Sequence, residues 1–341
     1  MRRAGVETVV DAASLAVVGL VEVVSHIPRI YGEYRKLLAA ARRIRPDLAI
    51  LTDSPDFHLR LARKLHAQGV PVVYLVAPQV WAWRKGRLPG MRRTLRHLLC
   101  IFPFEEEFFR GHGLPATYIG HPLAGLVKPS LSRLEFFKKH RLPAGRPLIS
   151  VLPGSRRGEA ARHLPPLLDA VERLYRDQAA SFILPASATA GAGFFRERIG
   201  TAPIQVIDGE NWDSIAHADL ALAASGTVTV EAALLGTPMV TFYKVTPASW
   251  LMGRMLVRVP FYSMVNLIAG RALVPELMQH DMTGERLAAE AQRLLRDDTA
   301  RCQMRAGLAE VASRLSGTGQ PMARASAIIQ ELMEGQPAHV S

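Results

Sequence analysis

The sequence predicts an α/β protein made of two doubly wound parallel-sheet domains facing a cleft. Three observations carry this. Short apolar runs alternate with longer helix-like segments along most of the 341 residues, as expected for parallel strands covered by helices on both faces. The alternation breaks once, at His121–Ser132, where Pro122 and Pro129 mark a loop. The length also suits two domains.

The elements follow in order. Tyr34–Arg43 is rich in Leu, Ala and Arg and predicts a helix, and LAILT at Leu48–Thr52 predicts a buried strand. Leu59–Gln68 predicts a helix closed by Gly69. Strands follow at Pro71–Val76, Leu98–Phe102 and Thr117–Gly120, with a helix at Glu105–His112. After the loop, strands are expected at Leu148–Leu152, Ser181–Leu184, Gln205–Ile207, Asp219–Ala223 and Pro238–Tyr243. The last is the final strand that the pattern supports. A helix is expected at Ala160–Tyr175, and the chain beyond Thr283 reads as mostly helical. The domain reading is 1–124, a linker region 125–145, 146–320, and a C-terminal helix and tail at 321–341.

Composition narrows the function. Hydrophobic residues make up 49% and charged residues 21%, which excludes extensive disorder. Two distant cysteines, Cys100 and Cys302, exclude a disulfide framework and a cysteine zinc cluster. Lys and Arg outnumber Asp and Glu by 42 to 30, a net charge of +12. Such a chain seeks anions: nucleic acid, acidic lipid or phosphorylated small molecules. The apolar run Ala12–Val21 is too short to span a bilayer, and the start predicts no signal peptide.

Five segments carry candidate chemistry. Pro153-Gly154-Ser155-Arg156-Arg157-Gly158-Glu159 joins a strand to a helix. Backbone N–H groups at such a turn face an anion, and arginine adds charge-assisted bonds; an ordinary polar turn is the plainer alternative. Ser225-Gly226-Thr227 repeats the arrangement, with Glu231 one turn inside the helix and able to accept from sugar hydroxyls. Helix capping by Ser225 or Thr227 is the alternative there. Two such turns at strand C-terminal ends favour a nucleotide diphosphate.

Asp53 ends the strand LAILT, where a carboxylate base would reach a cleft; capping by Asp53 or Asp56 competes with that role. Trp81, Trp83 and Arg84 open a basic run through Arg96 that suits stacking, a sugar face or a membrane interface, against a packed basic helix. Asn266 and Arg271 stand in an apolar stretch, Ser263–Arg271, read as a loop. No histidine pair has helical metal-ligand spacing and no Asp-x-Asp occurs, so no metal and no cofactor are expected.

These segments, in this order, resemble the lipid-A-disaccharide synthases, bacterial glycosyltransferases of the GT-B architecture. The matching strings are LAVVGLVEVV, TDSPDFHLRLA, VWAWRKGR, FPFEEEFF, YIGHPL, VLPGSRRGE, AASGTVTVEAALLGTPMV and NLIAGRALVPELMQ, spanning residues 1 to about 330. The resemblance implies inverting transfer of 2,3-diacylglucosamine from UDP-2,3-diacylglucosamine to the 6-hydroxyl of 2,3-diacylglucosamine 1-phosphate. It implies Asp53 as base; Ser155, Arg156, Ser225, Gly226, Thr227 and Glu231 on the UDP; and Asn266 as a further active-site residue. It leaves Trp81, Trp83, Arg84 and Arg271 as acceptor or membrane candidates.

It also implies a homodimer and peripheral attachment to the cytoplasmic face of the anionic inner membrane through Ala16–Leu38, with no nucleic-acid partner. Other UDP-sugar enzymes of this architecture, epimerases and peptidoglycan glycosyltransferases, share the phosphate turn but not PDFxL plus VWAWR. The family's first strand and glycine-rich SGExSGD-type loop have no counterpart here, so the N-terminal sheet is expected to be incomplete and to show open edges. With the remaining motifs intact, a start set too late or a fragment is the expected reading of this departure; a truncated, non-catalytic nucleotide-sugar- or membrane-binding remnant is the alternative. His58, Ala77 and Gln79 replace the usual Asn and serines.

Overall fold

The computed structural model describes residues 5–10, 20–178, 180–257, 259–317 and 319–335. The chain divides into two compact units, residues 1–119 with 322–341 and residues 120–321. Both are parallel sheets dressed with helices, a GT-B-like α/β fold.

The first unit contains α1 (Leu20–Ile44), β1 (Ala49–Thr52), α2 (Pro55–His66), β2 (Val72–Leu75), α3 (Leu88–Thr94), β3 (His97–Cys100), α4 (Pro103–Gly111) and β4 (Ala116–Tyr118). The strands lie in sequence order, each parallel to the next. The inner strand β3 is buried throughout, as parallel strands covered on both faces must be. β1 is an outer strand, and its Ile50 is 48% exposed. Of the apolar run Ala12–Val21, residues 12–19 lie outside the described residues, as does the start of the expected membrane segment Ala16–Leu38. Among the described residues, no helix is long and apolar enough to cross a membrane.

The second unit runs α5 (Arg133–Lys139), β5 (Leu148–Leu152), α6 (Arg157–Gln178), β6 (Ser181–Ala186), α7 (Ala192–Ile199), β7 (Ile204–Asp208), α8 (Asn211–Ala216), β8 (Leu220–Ala224), α9 (Thr227–Leu234), β9 (Met239–Tyr243), α10 (Pro247–Leu256), α11 (Met264–Ala269), β10 (Glu276–Met278), α12 (Gly284–Arg296) and α13 (Asp298–Ser316). The closing helix α14 (Pro321–Met333) is grouped with the first unit from Met322 onward. The sheet order is β10-β9-β8-β5-β6-β7. β5 and β8 are completely buried.

The structure departs from the sequence expectations at three places. Residues 125–145 are not a free connection. Asp213 of α8 accepts bonds from the Ser130 N–H, the Leu131 N–H and the Ser130 hydroxyl at 2.7–2.8 Å. Phe136 of α5 is fully buried with Leu148, Ile183 and Ile207. The apolar stretch after Ser263 is the helix α11, capped by the Ser263 side chain, not a loop. A further strand, β10, pairs with β9 at the sheet edge. At three residues it is too short for its pattern to signal a strand.

Buried histidines make the fold acid-sensitive. His97, bonded to the Thr117 hydroxyl at 2.9 Å, is pushed down to about 4, chiefly by burial and then by Arg110. Burial also takes His121 down to about 4. A depressed histidine stabilises the fold above its ordinary value and loses that contribution as pH falls toward 4. Glu105 acts oppositely, because burial raises it to about 7. The melting temperature is therefore expected to fall by roughly 3–6 °C between pH 7 and 5, and His97→Gln should flatten the slope. Equal slopes in calorimetry would refute the assignment to His97.

Candidate active site

In the second unit, β6 and β7 extend the sheet to one side of β5, while β8, β9 and β10 extend it to the other. The order reverses between β5 and β8. Open parallel sheets leave a crevice at the C-terminal ends of strands at such a switch point. A cavity of about 390 Å³ lies there. Leu152–Arg156 and Glu159 line one side of it. Ala224–Val228 and Glu231 line another, with Pro185, Ser187, Asn211 and Tyr243 completing the wall. The two turns singled out from sequence leave strand ends 72 positions and several elements apart, Leu152 and Ala224, and they share one cavity because β5 and β8 pair.

The first turn is built for close approach. Gly154 has φ +112°, and a Cβ there would stand 2.8 Å from the Glu159 carboxylate. The backbone angle is one that side-chain-bearing residues rarely adopt, and a Cβ there would also displace the Glu159 side chain. Glu159 lies over this glycine from the first turn of α6 and accepts from the Tyr243 hydroxyl. Burial and this carboxylate raise the tyrosine above its ordinary range. The Ser187 hydroxyl holds the Ser155 carbonyl at 3.0 Å. Arg156 is exposed at the rim and forms no ion pair among the described residues.

The second turn opens α9. Gly226 is its N-cap without a side-chain cap, and its carbonyl receives both the N–H and the hydroxyl of Thr229. Ser225 does not cap the helix: its hydroxyl donates to the Tyr262 carbonyl at 2.9 Å. The N–H groups at the start of α9 thus open beside the cavity, where the helix dipole favours an anion. Glu231 is half-buried, accepts from the Trp212 side chain, and is raised by burial.

One buried residue that sequence reading missed ties the floor together. His163 of α6 is bonded through Nδ1 to the Pro153 carbonyl at 2.8 Å, and its Nε2 accepts from the Lys244 N–H at 3.0 Å. Burial lowers its pKa; Nδ1 donates to the Pro153 carbonyl, and Nε2 lies within reach of both the N–H and the carbonyl of Lys244. This clips the end of β5 to the end of β9. Glu159, Tyr243, Ser187 and Asn211 were also missed as wall residues. Glu159 alone left a trace, standing in the same short motif as Arg156.

In the first unit, Asp53 directly follows β1 and is exposed. It and Ser54 occupy the left-handed region, φ 56° and 40°, which costs a non-glycine residue about 1 kcal/mol or more and recurs at functional sites. The Asp53 carbonyl is pinned by the Tyr74 hydroxyl at 2.5 Å and by His58 Nδ1 at 2.9 Å. Neither aspartate caps α2: its N-cap is Ser54, with no side-chain cap. Asp56 instead takes two bonds from Arg84, at 2.8 and 3.0 Å, and another from Arg87. The Arg84 guanidinium lies 4.0 Å from the centre of the exposed Trp83 ring. Ala77 is buried and Gln79 exposed.

Three candidates from sequence are placed differently. Trp81 is buried, and its indole N–H donates to Glu105 at 2.9 Å, so the ring is part of the core. Asn266 is buried on α11 and does not line the cavity. Its amide donates to Val274 and Glu276, and its oxygen accepts from the N–H groups of Leu273 and Val274. The side chain's full hydrogen-bonding capacity holds the loop before β10. Arg271 pairs with Glu310 of α13 at 3.2 Å and is likewise absent from the cavity wall.

The family model described as lipid-A-disaccharide synthetase matches residues 1–325. The chain is 73% identical to the lipid-A-disaccharide synthase of Solibacter usitatus (strain Ellin6076), over all of this chain and 90% of that one. It is 45% identical to the enzyme of the same name from Koribacter versatilis (strain Ellin345), over 92% of this chain and 83% of that one. Among solved structures, the S. aureus MnaA–UDP co-structure is similar in fold, with a TM-score of 0.65 at 13% identity, covering 96% of this chain and 86% of that one.

The core placement of Trp81 gives a direct test. Glu105 is wholly buried and also accepts from the N–H groups of Ile101 and Phe102, both at 3.2 Å. Trp81→Phe removes one donor from a buried carboxylate, so unfolding free energy is expected to drop by about 1–3 kcal/mol. An unchanged denaturation midpoint would contradict the core role.

Proposed function

The chain belongs to the lipid-A-disaccharide synthetase family, and we propose that its second unit holds the UDP-sugar donor while its first unit supplies the base. The protein is a glycosyltransferase of lipid A biosynthesis. It transfers 2,3-diacylglucosamine from UDP-2,3-diacylglucosamine to the 6-hydroxyl of 2,3-diacylglucosamine 1-phosphate, releasing UDP.

The observation that carries the donor assignment is the cavity at the β5–β8 switch point, walled by both phosphate-type turns. In this reading the N–H groups opening α9 and the exposed Arg156 take the diphosphate, and Gly154 lets it approach the backbone. Glu231 has carboxylate capacity beyond its bond from Trp212, and that capacity receives nucleotide hydroxyls. Asn266 contributes indirectly, by fixing the loop that precedes β10.

Asp53 accepts the proton of the acceptor's 6-hydroxyl. That oxygen then bonds to the donor's anomeric carbon as the bond from that carbon to the UDP oxygen breaks. Configuration inverts, and the electron pair leaves with UDP. Preorganised N–H groups and arginine at the leaving oxygen stabilise the charge that develops. The clamp on the Asp53 carbonyl supports this role, since it holds a strained residue in one orientation. The exposed Arg29 and Arg35 of α1 suit peripheral contact with the anionic cytoplasmic face of the inner membrane.

Two variants separate the roles. Asp53→Asn is expected to lower turnover at least about a hundredfold with unchanged UDP affinity by calorimetry; near-normal turnover would remove Asp53 as base. Arg156→Ala is expected to weaken UDP binding about tenfold or more, the size of one charge-assisted hydrogen bond. Undiminished affinity would take the diphosphate away from this rim. Product analysis with UDP-N-acetylglucosamine as competing donor distinguishes the transferase from soluble-sugar enzymes.

A further inference from the structure

Helix α10 has its polarity reversed. In a globular protein the apolar stripe of a surface helix faces the core. Here Leu251, Met252, Met255 and Leu256 occupy one outward face and are between 52% and 72% exposed. No residue of α10 is fully buried. The inner side is held by the half-buried Trp250 and Gly253, with Trp250 lying 5.9 Å from the Tyr262 ring. The Thr246 side chain caps the start at the Ser249 N–H. The helix is therefore well formed, yet four large apolar side chains point to solvent together, the mark of an interaction surface.

Two further observations identify the occupant. Residues 244–275 contain Lys244, Arg254, Arg258 and Arg271 and no acidic residue. Lys244 and Arg254 form no ion pair among the described residues. Arg271 is paired with Glu310, and the Glu276 carboxylate is taken up by the Tyr262 and Ser263 N–H groups; the apolar face flanked by Lys244 and Arg254 is complementary to an acidic lipid surface. The surface also adjoins the donor cavity: Ser225 lines that cavity, and its hydroxyl donates to the carbonyl of Tyr262, the residue whose ring meets Trp250. The exposed stripe is an open ridge along a helix, a shape that enters a lipid interface rather than enclosing a chain.

We propose that α10 is an interfacial helix of the second unit, inserting Leu251, Met252, Met255 and Leu256 into the acyl boundary of an anionic bilayer. This places the mouth of the donor cavity at the surface where acylated substrates reside. The inference rests on the reading of that cavity as the UDP-sugar site. It concerns a face distinct from α1.

The test uses the full chain with Cys302, which is exposed, replaced by serine and an environment-sensitive fluorophore on Met255→Cys. Vesicles of phosphatidylcholine alone and with phosphatidylglycerol are added. The proposal expects a blue shift with the acidic vesicles that weakens as salt rises. It also expects the Leu251→Ser, Met252→Ser, Met255→Ser, Leu256→Ser variant to partition at least about tenfold more weakly, with UDP affinity unchanged. Vesicle binding without a spectral shift at position 255 would overturn the proposal, as would undiminished partition of the variant. A shift produced by dispersed donor without vesicles would assign the face to substrate chains and overturn it equally. Turnover on detergent-dispersed substrates tests the donor reading separately.

Discussion

The parallel pairing of β5 with β8 is the constraint on which the candidate active site depends. These strands are far apart in sequence, and both are buried on every residue. β6 occupies the other side of β5, so the turns that leave β5 and β8 diverge and a crevice stays open between them. Each turn is only a strand-to-helix connection. Their pairing turns two ordinary N-terminal ends into one anion-facing wall.

That wall is held by groups that play no part in the transfer. Buried His163 clips Pro153 to Lys244, and Glu159 lies over Gly154 while receiving the Tyr243 hydroxyl. Asn266 gives its whole amide to the segment before β10. The first unit follows the same logic around Asp53, whose carbonyl is fixed from β2 by Tyr74 and from α2 by His58. Rigid support of this kind keeps a binding geometry pre-formed, so less binding energy is lost to ordering.

Much of this was legible in the sequence. Runs such as LAILT and PVVYLV marked strands because buried parallel strands are continuous apolar stretches. The turns after Leu152 and Ala224 stood out because glycine and small polar residues separate a strand from a helix there. What stayed hidden was long-range. Trp81 looked exposed beside Trp83 because nothing local announces a buried Glu105 as its partner. Asn266 looked like a ligand group because its four hydrogen bonds go to residues 273–276. Helix α10 drew no attention because an apolar segment reads as core until its outward face is seen. The 125–145 segment read as a linker because Asp213, which binds it, lies more than eighty residues away.

Occupation of the switch-point cavity of the second unit by a nucleoside diphosphate is the step on which the proposed transfer rests. Hydrogen–deuterium exchange of the full chain with and without UDP tests it most directly, because backbone N–H groups are the proposed ligands. The account predicts slowed exchange at residues 154–159 and 226–231, with little change in β1–β4. Protection confined to the first unit, or none at a UDP concentration that saturates binding, would contradict it.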